Sequence, residues 1–464
     1  MAEGAGGTPT CSERIAKFVT EFDLDQAPSE LIGIAERSFV DTIGVMLAGS
    51  REPAARMAVE LAAQEGAAPA TGIVGRGIRT SPQNAALANG TATQALDYDL
   101  SFMIGQSTAA LIPGLLPLAE STGASPRDVI AAFIVGSEVC GAMARSYPLL
   151  SSDGGWHGAG VLGTICGAAA YARLTGQPEA AIPDIIGIAA SMASAISVNF
   201  GTMTKPLHAG LAARNGVAAL GLGAQGFTAH PMALEGKNGF FPCFAQALDW
   251  DTGPFDRLGH DFALLDPGIK IKAFACGGLL HCSIQAALNL RQREHPDIAS
   301  IARIGVGVSP HAFGRAIDRY PWSEDSSRFS LRYLVPYALI HGAPMLDAFT
   351  EAGYGDAAVH ALGEKYEGRI DDEFAGLRGS GSYSPGRVTL EMTDGTRLEE
   401  VVYEPFGTPS NPLSDDAFGK KFESCAAPII GAAQAEELFD YLSNLSGQES
   451  LSGLWPLITG KDAD

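Results

Sequence analysis

The chain has 464 residues, and 52 Asp and Glu outnumber 31 Lys and Arg, which gives a formal net charge of −21 at pH 7. This charge argues against nucleic acid and anionic membrane surfaces as partners. The length predicts two domains, and a hydrophobic content of 46% is ample for a large core.

The seven cysteines are scattered and contain no CxxC pair, which predicts buried, reduced thiols. No arrangement suits an iron–sulfur cluster or structural zinc, and no residue cluster has metal-ligand spacing, so we expect no metal. The N-terminal residues lack the basic-then-apolar pattern of a signal peptide, so we expect a cytoplasmic protein that does not enter a membrane. The uncharged run 185–204 contains Ser, Gly, Asn and Thr, and is typical of a buried core helix rather than a membrane span.

Helical signals dominate residues 1–266. Apolar residues recur at helical spacing from Leu31 to Leu47. The pairs Ser81-Pro82 and Ser125-Pro126 each place a capping serine before a first-turn proline. These patterns predict an all-helical domain.

A basic stretch interrupts this acidic chain at 197–216. Lys205 is the first cation after the uncharged run, and His208 and Arg214 follow it. A lysine beside Gly and Thr next to a helix N-terminus indicates an anion site. The alternative is a loop lysine that only solvates a helix junction.

The pattern changes after residue 266. Apolar residues alternate over 304–308 and 388–392, a Thr-Asp-Gly-Thr turn follows at 393–396, and a helix is indicated at 325–342. We predict a smaller α/β lid domain over 267–407. Leu438 and Leu442 lie on one apolar helical face, so residues 408–464 are expected to pack back onto the first domain. The predicted fold class is mainly α with an inserted α+β domain.

Several motifs resemble those of the MmgE/PrpD family. They are the run Asn-Phe-Gly-Thr-Met-Thr-Lys at 199–205, the segment Gln-Ala-Leu-Asp-Tyr-Asp-Leu-Ser at 94–101, Gly-Trp-His at 155–157, and Lys272 with a histidine at 281. The family includes 2-methylcitrate dehydratases, cis-aconitate decarboxylases and an iminodisuccinate epimerase. The resemblance implies a cofactor-independent homodimer that acts on a small carboxylate.

The match to the family signature is partial. Gln94 and Gln106 stand where the family has histidines, and glutamine cannot exchange a proton near neutral pH. A family tyrosine is expected near 316–320, where either Tyr320 or Ala316 is its counterpart.

The resemblance implies one site at the junction of the two domains. Its expected catalytic residues are Asp97, His157, Lys205 and His281. Its expected substrate-binding residues are Tyr98, Asp99, Ser101, Gln106, His208 and Lys272. We expect the Lys205 ammonium to lie within reach of His157 and of Asp97 or Asp99, because a buried ammonium without a partner is costly.

Lysine and histidine bind carboxylates, and a base can remove a proton alpha to one if fixed positive charge stabilises the enolate. Dehydration, decarboxylation and epimerisation share this intermediate. Dehydration is the first expectation, because it is the family's most familiar activity. Epimerisation, cyclisation or another isomerisation, and decarboxylation, are alternatives within the enzyme class. A non-catalytic dimeric binding protein is the alternative of another class.

Overall fold

The computed structural model describes residues 8–147, 155–245, 249–316, 318–377 and 383–459. The ends of the predicted domains at 1–7 and 460–464 lie outside these residues. The first ten helices are α1 (Cys11–Glu21), α2 (Glu30–Gly49), α3 (Pro53–Gln64), α4 (Pro82–Ala95), α5 (Leu111–Thr122), α6 (Pro126–Ser146), α7 (Gly158–Leu174), α8 (Ile182–Met192), α9 (Thr204–Ala224) and α10 (Phe240–Phe244). A two-residue pair, β1 (Thr71–Gly72) and β2 (Arg79–Thr80), lies between α3 and α4.

Small residues let the central helices pack closely. A Cβ atom on Gly90 of α4 would lie 2.7 Å from the Cα of Gly210 in α9, so neither helix could carry a larger residue there without moving. This packing brings the end of α4, and the turn that follows it, to the beginning of α9. Two distant motifs of the sequence therefore meet at one place.

The helix predicted over 185–204 is shorter than expected. α8 ends at Met192, and 193–203 forms a connection with only a short 3₁₀ turn. Val198 in this connection is 80% exposed. The run lacks charge but also contains Ser, Asn and Gly, which favour turns over a continuous helix.

The second region surrounds a four-stranded sheet. Its helices are α11 (His281–Glu294), α12 (Pro310–Phe313), α13 (Glu324–Ser327), α14 (Leu331–His341), α15 (Glu351–Tyr354) and α16 (Ala357–Gly363). Its strands are β3 (Ile301–Val308), β4 (Tyr366–Ile370), β5 (Gly386–Met392) and β6 (Arg397–Val402). The strand order is β4-β3-β5-β6, with β3 and β4 parallel and the other pairs antiparallel. The predicted turn at 393–396 joins β5 to β6.

Three C-terminal helices return to the first region: α17 (Asp415–Ile430), α18 (Ala432–Ser443) and α19 (Leu454–Ile458). α17 and α18 pack against α2, and Leu438 and Leu442 are fully buried in the same core as Phe39. A second core surrounds the sheet. The predicted fold class, mainly α with a smaller α/β part, is confirmed.

One helix of the described chain, α6, is long and apolar enough to cross a membrane by length and composition. Its most apolar window is 94% buried inside the protein. This burial is typical of a core helix, and α6 packs against α7.

Candidate active site

Asp97 is the centre of a buried polar cluster. Its backbone φ of 49° lies in the left-handed region, which turns the chain sharply after α4. Three nitrogen atoms converge on its Oδ1: Lys205 Nζ at 2.6 Å, Lys272 Nζ at 2.9 Å and Gln106 Nε2 at 2.6 Å. Lys272 also donates to the Asp97 backbone oxygen at 2.7 Å. The turn, the lysine of α9 and the segment after residue 266 are thereby joined.

The two lysines keep Asp97 ionised. Burial raises the pKa of the carboxyl, but the charges and hydrogen bonds of Lys205 and Lys272 outweigh burial and hold the pKa well below its usual range. A carboxylate with so low a pKa is a poor base at neutral pH. Asp97 is better suited to fixing the two ammonium groups than to removing a proton.

Two histidines lie beside this cluster. His157, just before α7, and His208, in α9, place their Nδ1 atoms 3.0 Å apart, so one ring donates and the other accepts. Burial, with the nearby charge of Lys205, lowers the pKa of both rings, that of His208 to about 4. Both are neutral near pH 7. His157 Nε2 is buried and has no hydrogen-bond partner within the described residues.

A cavity of about 110 Å³ adjoins the cluster. This is well below the roughly 300–1,000 Å³ of pockets for drug-sized ligands, and indicates a small ligand. Polar groups on its wall include Asp97, Gln106, His157, Lys205, His311 and Arg315. Its apolar wall includes Ile104, Phe200, Leu279 and Phe329. The helical first region and the region around the four-stranded sheet thus both contribute to the wall of this cavity.

His311 and Arg315 were missed in the sequence. They lie in and just after the short helix that follows β3, and the Arg315 guanidinium carbon lies 5.6 Å from the centre of the Phe200 ring. The Arg315 charge also contributes to the lowered pKa of His157. Their proximity to the expected tyrosine position was the one signal available. Ala316 lines the cavity, whereas Tyr320 packs with its ring 4.3 Å from that of His360.

Tyr98, Asp99 and Ser101 lie behind the cavity wall. All three are buried, and the Tyr98 hydroxyl donates to the Ala273 backbone oxygen at 3.3 Å. The backbone of Ser101 pairs with that of Lys270. Both Asp99 carboxylate oxygens lack a partner among the described residues, and burial raises the pKa of Asp99 to about 6. Their substrate-binding role stays a prediction.

Two further expected residues are buried away from the cavity lining. Lys272 reaches Asp97 from behind, and its side chain is fully buried. His281 is also fully buried, with Nε2 3.4 Å from the Cys276 backbone oxygen and its ring against Tyr383. Burial lowers the pKa of His281 to about 3. The segment before it, 277–280, contributes to the cavity wall instead. A catalytic role for His281 stays a prediction.

The expectation concerning metals also stays a prediction. Across residues 8–147, 155–245, 249–316, 318–377 and 383–459, no group of three or more His, Cys, Asp and Glu is arranged to hold a metal ion.

Comparison with known proteins gives matches over nearly the whole chain. The model of the MmgE/PrpD N-terminal domain matches residues 13–252, and that of the MmgE/PrpD C-terminal domain matches residues 274–445. Among similar proteins, the cis-aconitate decarboxylase-like protein oryM of Aspergillus oryzae is 26% identical, covering 96% of this chain and 97% of that protein. Cis-aconitate decarboxylase of Aspergillus terreus is 26% identical, with 96% and 95% covered, and that of Homo sapiens is 25% identical, with 97% and 94% covered.

Proposed function

Because this chain belongs to the MmgE/PrpD family, whose members compared above are lyases, we propose that it is a cofactor-independent lyase that decarboxylates a small polycarboxylate. The observation that carries this proposal is the cavity between Lys205 and Arg315, which presents fixed positive charge from two separate segments. The expected dehydration becomes the second candidate.

The two cations define how a substrate would bind. The charges of Lys205 and Arg315 both contribute to the lowered pKa of His157, so this ring lies in the field of each. A ligand beside His157 with two carboxylates can meet both cations, whereas a monocarboxylate leaves one without a ligand anion. In a chain with net charge −21, such local positive charge is required to hold an anion.

The apolar wall favours loss of CO₂. A carboxylate placed against Phe200 and Phe329 loses hydration, and it regains a favourable state by leaving as a neutral molecule. The carbon–carbon bond breaks, its electron pair stays on the substrate carbon, and the adjoining carboxylate takes up this charge beside Lys205. The substrate carbon then accepts a proton, and we assign its delivery to the N–H group at His157 Nε2, which has no other partner among the described residues. This nitrogen carries the proton when His157 Nδ1 accepts from His208 Nδ1, and the ring regains a proton from solvent after the transfer.

Dehydration would make a different demand on the same groups. A leaving hydroxide needs a proton from an acid. Both His157 and His208 have lowered pKa values and are neutral at pH 7. The N–H group of a neutral imidazole can protonate a strongly basic carbanion, but it is too weak an acid to assist a leaving hydroxyl, and Gln106 cannot act as an acid. Epimerisation needs only the carbanion and a second proton donor, so it is the alternative within the isomerase class.

The test is incubation with a panel of di- and tricarboxylates, including cis-aconitate, in D₂O. We expect CO₂ release and a product with deuterium at the carbon that lost the carboxylate, measured by proton NMR. Lys205→Met is the matched variant and should abolish most of the conversion. Loss of water without release of CO₂ would identify a hydro-lyase. Deuterium exchange without loss of either water or CO₂ would identify an isomerase. Saturable binding of an acid without any chemical change in it would contradict the proposal that this protein is an enzyme.

A further inference from the structure

The amide of Gln106 has an orientation that its neighbour fixes. Gln106 Nε2 lies 2.6 Å from Asp97 Oδ1. Asp97 is held ionised by Lys205 and Lys272, and an ionised carboxylate only accepts hydrogen bonds. The amide nitrogen must therefore face Asp97, because the reversed amide would set two acceptors against each other.

The carbonyl end of the same side chain is left for a ligand. Gln106 lines the cavity and is 9% exposed. Its Oε1 is not fully enclosed by protein, and no described residue donates a hydrogen bond to it. Lys205 and Gln106 donate to the same oxygen of Asp97. The Lys205 ammonium and the Gln106 amide therefore lie at the same part of the cavity wall.

From these contacts we propose that Gln106 makes the site selective for a carboxylate substrate that carries a hydrogen-bond donor, a hydroxyl or N–H group, beside the carboxylate held by Lys205. The proposal rests on the carboxylate-lyase function above and names its substrate class more closely. A plain unsaturated or saturated acid has no donor to offer at this position, and would leave Oε1 without a partner in the complex.

The same contact decides what happens to a substrate hydroxyl. A hydroxyl that donates its proton toward Oε1 is held in place and gains electron density on its oxygen. This makes it a poorer leaving group, since departure requires the opposite, a proton delivered to that oxygen. Gln106 therefore positions a hydroxyl that survives the reaction, which agrees with decarboxylation rather than dehydration.

The test compares ligands that differ by one hydroxyl and requires no turnover. Titration calorimetry would measure succinate against both enantiomers of malate, and tricarballylate against citrate as the larger pair. We expect the wild type to bind the hydroxylated member of a pair about tenfold more tightly, the ratio for one neutral hydrogen bond. In Gln106→Met this ratio should fall to about one, while succinate still binds through Lys205.

Two further variants complete the design. Gln94→Met is the matched control, since Gln94 is buried in α4 near Asp97 but is not part of the cavity wall, and it should keep the wild-type ratio. Gln106→Leu is the second variant if Gln106→Met does not fold. Equal affinity for both members of each pair in the wild type, or a preference that persists without Gln106, would overturn the inference alone. Failure of the wild type to bind any of these acids would overturn the carboxylate site and this inference together.

Discussion

Two buried Asp–Lys contacts hold opposite sides of the turn that follows α4. On one side, Lys205 Nζ lies 2.6 Å from Asp97 Oδ1 at the cavity wall. On the other, Lys421 Nζ of α17 lies 2.6 Å from Asp41 Oδ1 of α2, with side-chain exposures of 4% and 0%. Lys421 also donates to the Tyr98 backbone oxygen at 3.0 Å and lies 4.0 Å from the centre of the Tyr98 ring.

The same pair of residue types serves different purposes on the two sides. Asp97 is shared by two lysines, and its pKa is held well below the usual range. Asp41 meets one lysine, and burial raises its pKa in spite of that partner. The first contact supplies positive charge that can reach a ligand, whereas the second is enclosed and joins the C-terminal helices to the core. A buried ion pair by itself therefore does not mark an active site. A cavity and more than one cation beside the acid do.

The largest expected effect concerns the enclosed pair. Lys421→Met leaves the buried Asp41 without its cation, and we expect the free energy of unfolding to fall by about 3–5 kcal/mol. Denaturant titration measures this change. Lys420→Met is the control, because that exposed lysine forms its ion pair with Asp416 on the surface and should change stability by less than about 1 kcal/mol. Equal stability of the two variants would show that the enclosed pair does not hold α17 in place.

The next effect concerns the cavity side. Lys205→Met should reduce turnover by about 100-fold to 1,000-fold, as loss of one oxyanion donor does. The melting temperature should change little or rise, because Lys272 still meets Asp97. Lys205→Arg should not restore full activity, since the planar guanidinium has a different shape. Turnover and melting temperature are measured on the same preparation. An unstable variant whose folded fraction keeps normal turnover would make Lys205 structural, like Lys421.

The smallest effect concerns Asp99, which is buried near Lys272, Lys205 and Asp97. Burial raises its pKa from 3.8 to about 6, in spite of Lys272 and Lys205. Folding therefore favours the protonated carboxyl group. The contribution of this group to the stability of the protein is complete below pH 3.8 and is lost as the pH rises through about 6. The shift corresponds to at most about 3 kcal/mol.

Asp99→Asn removes this titration while it keeps the shape of the side chain. The free energy of unfolding of wild type and variant is measured from pH 4 to pH 7, and their difference cancels the histidines that also titrate. We expect the wild type to lose stability relative to the variant as the pH rises through about 6. A constant difference would contradict a raised pKa for Asp99.

The sequence by itself determined several of the elements and the identity of the main charged groups, although the helices expected over 185–204 and 325–342 are shorter or divided in the structure. The serine–proline pairs predicted where α4 and α6 begin, and their serines do cap these helices. The alternation at 304–308 and the turn at 393–396 predicted β3 and the β5–β6 hairpin. These signals are local, because capping, alternation and turn chemistry involve residues close in the chain. The expected contact between Lys205 and Asp97 is present as well.

Only the tertiary structure decided which side chains face the cavity. His281 belongs to a motif that was visible in the sequence, but it lies among Phe274 and Tyr383, and the glycines before it approach the cavity instead. Arg315 had no motif, but the chain after β3 brings it to the same cavity as His157. The direction of a side chain in a turn or short helix depends on contacts with distant segments, and no local spacing encodes those contacts.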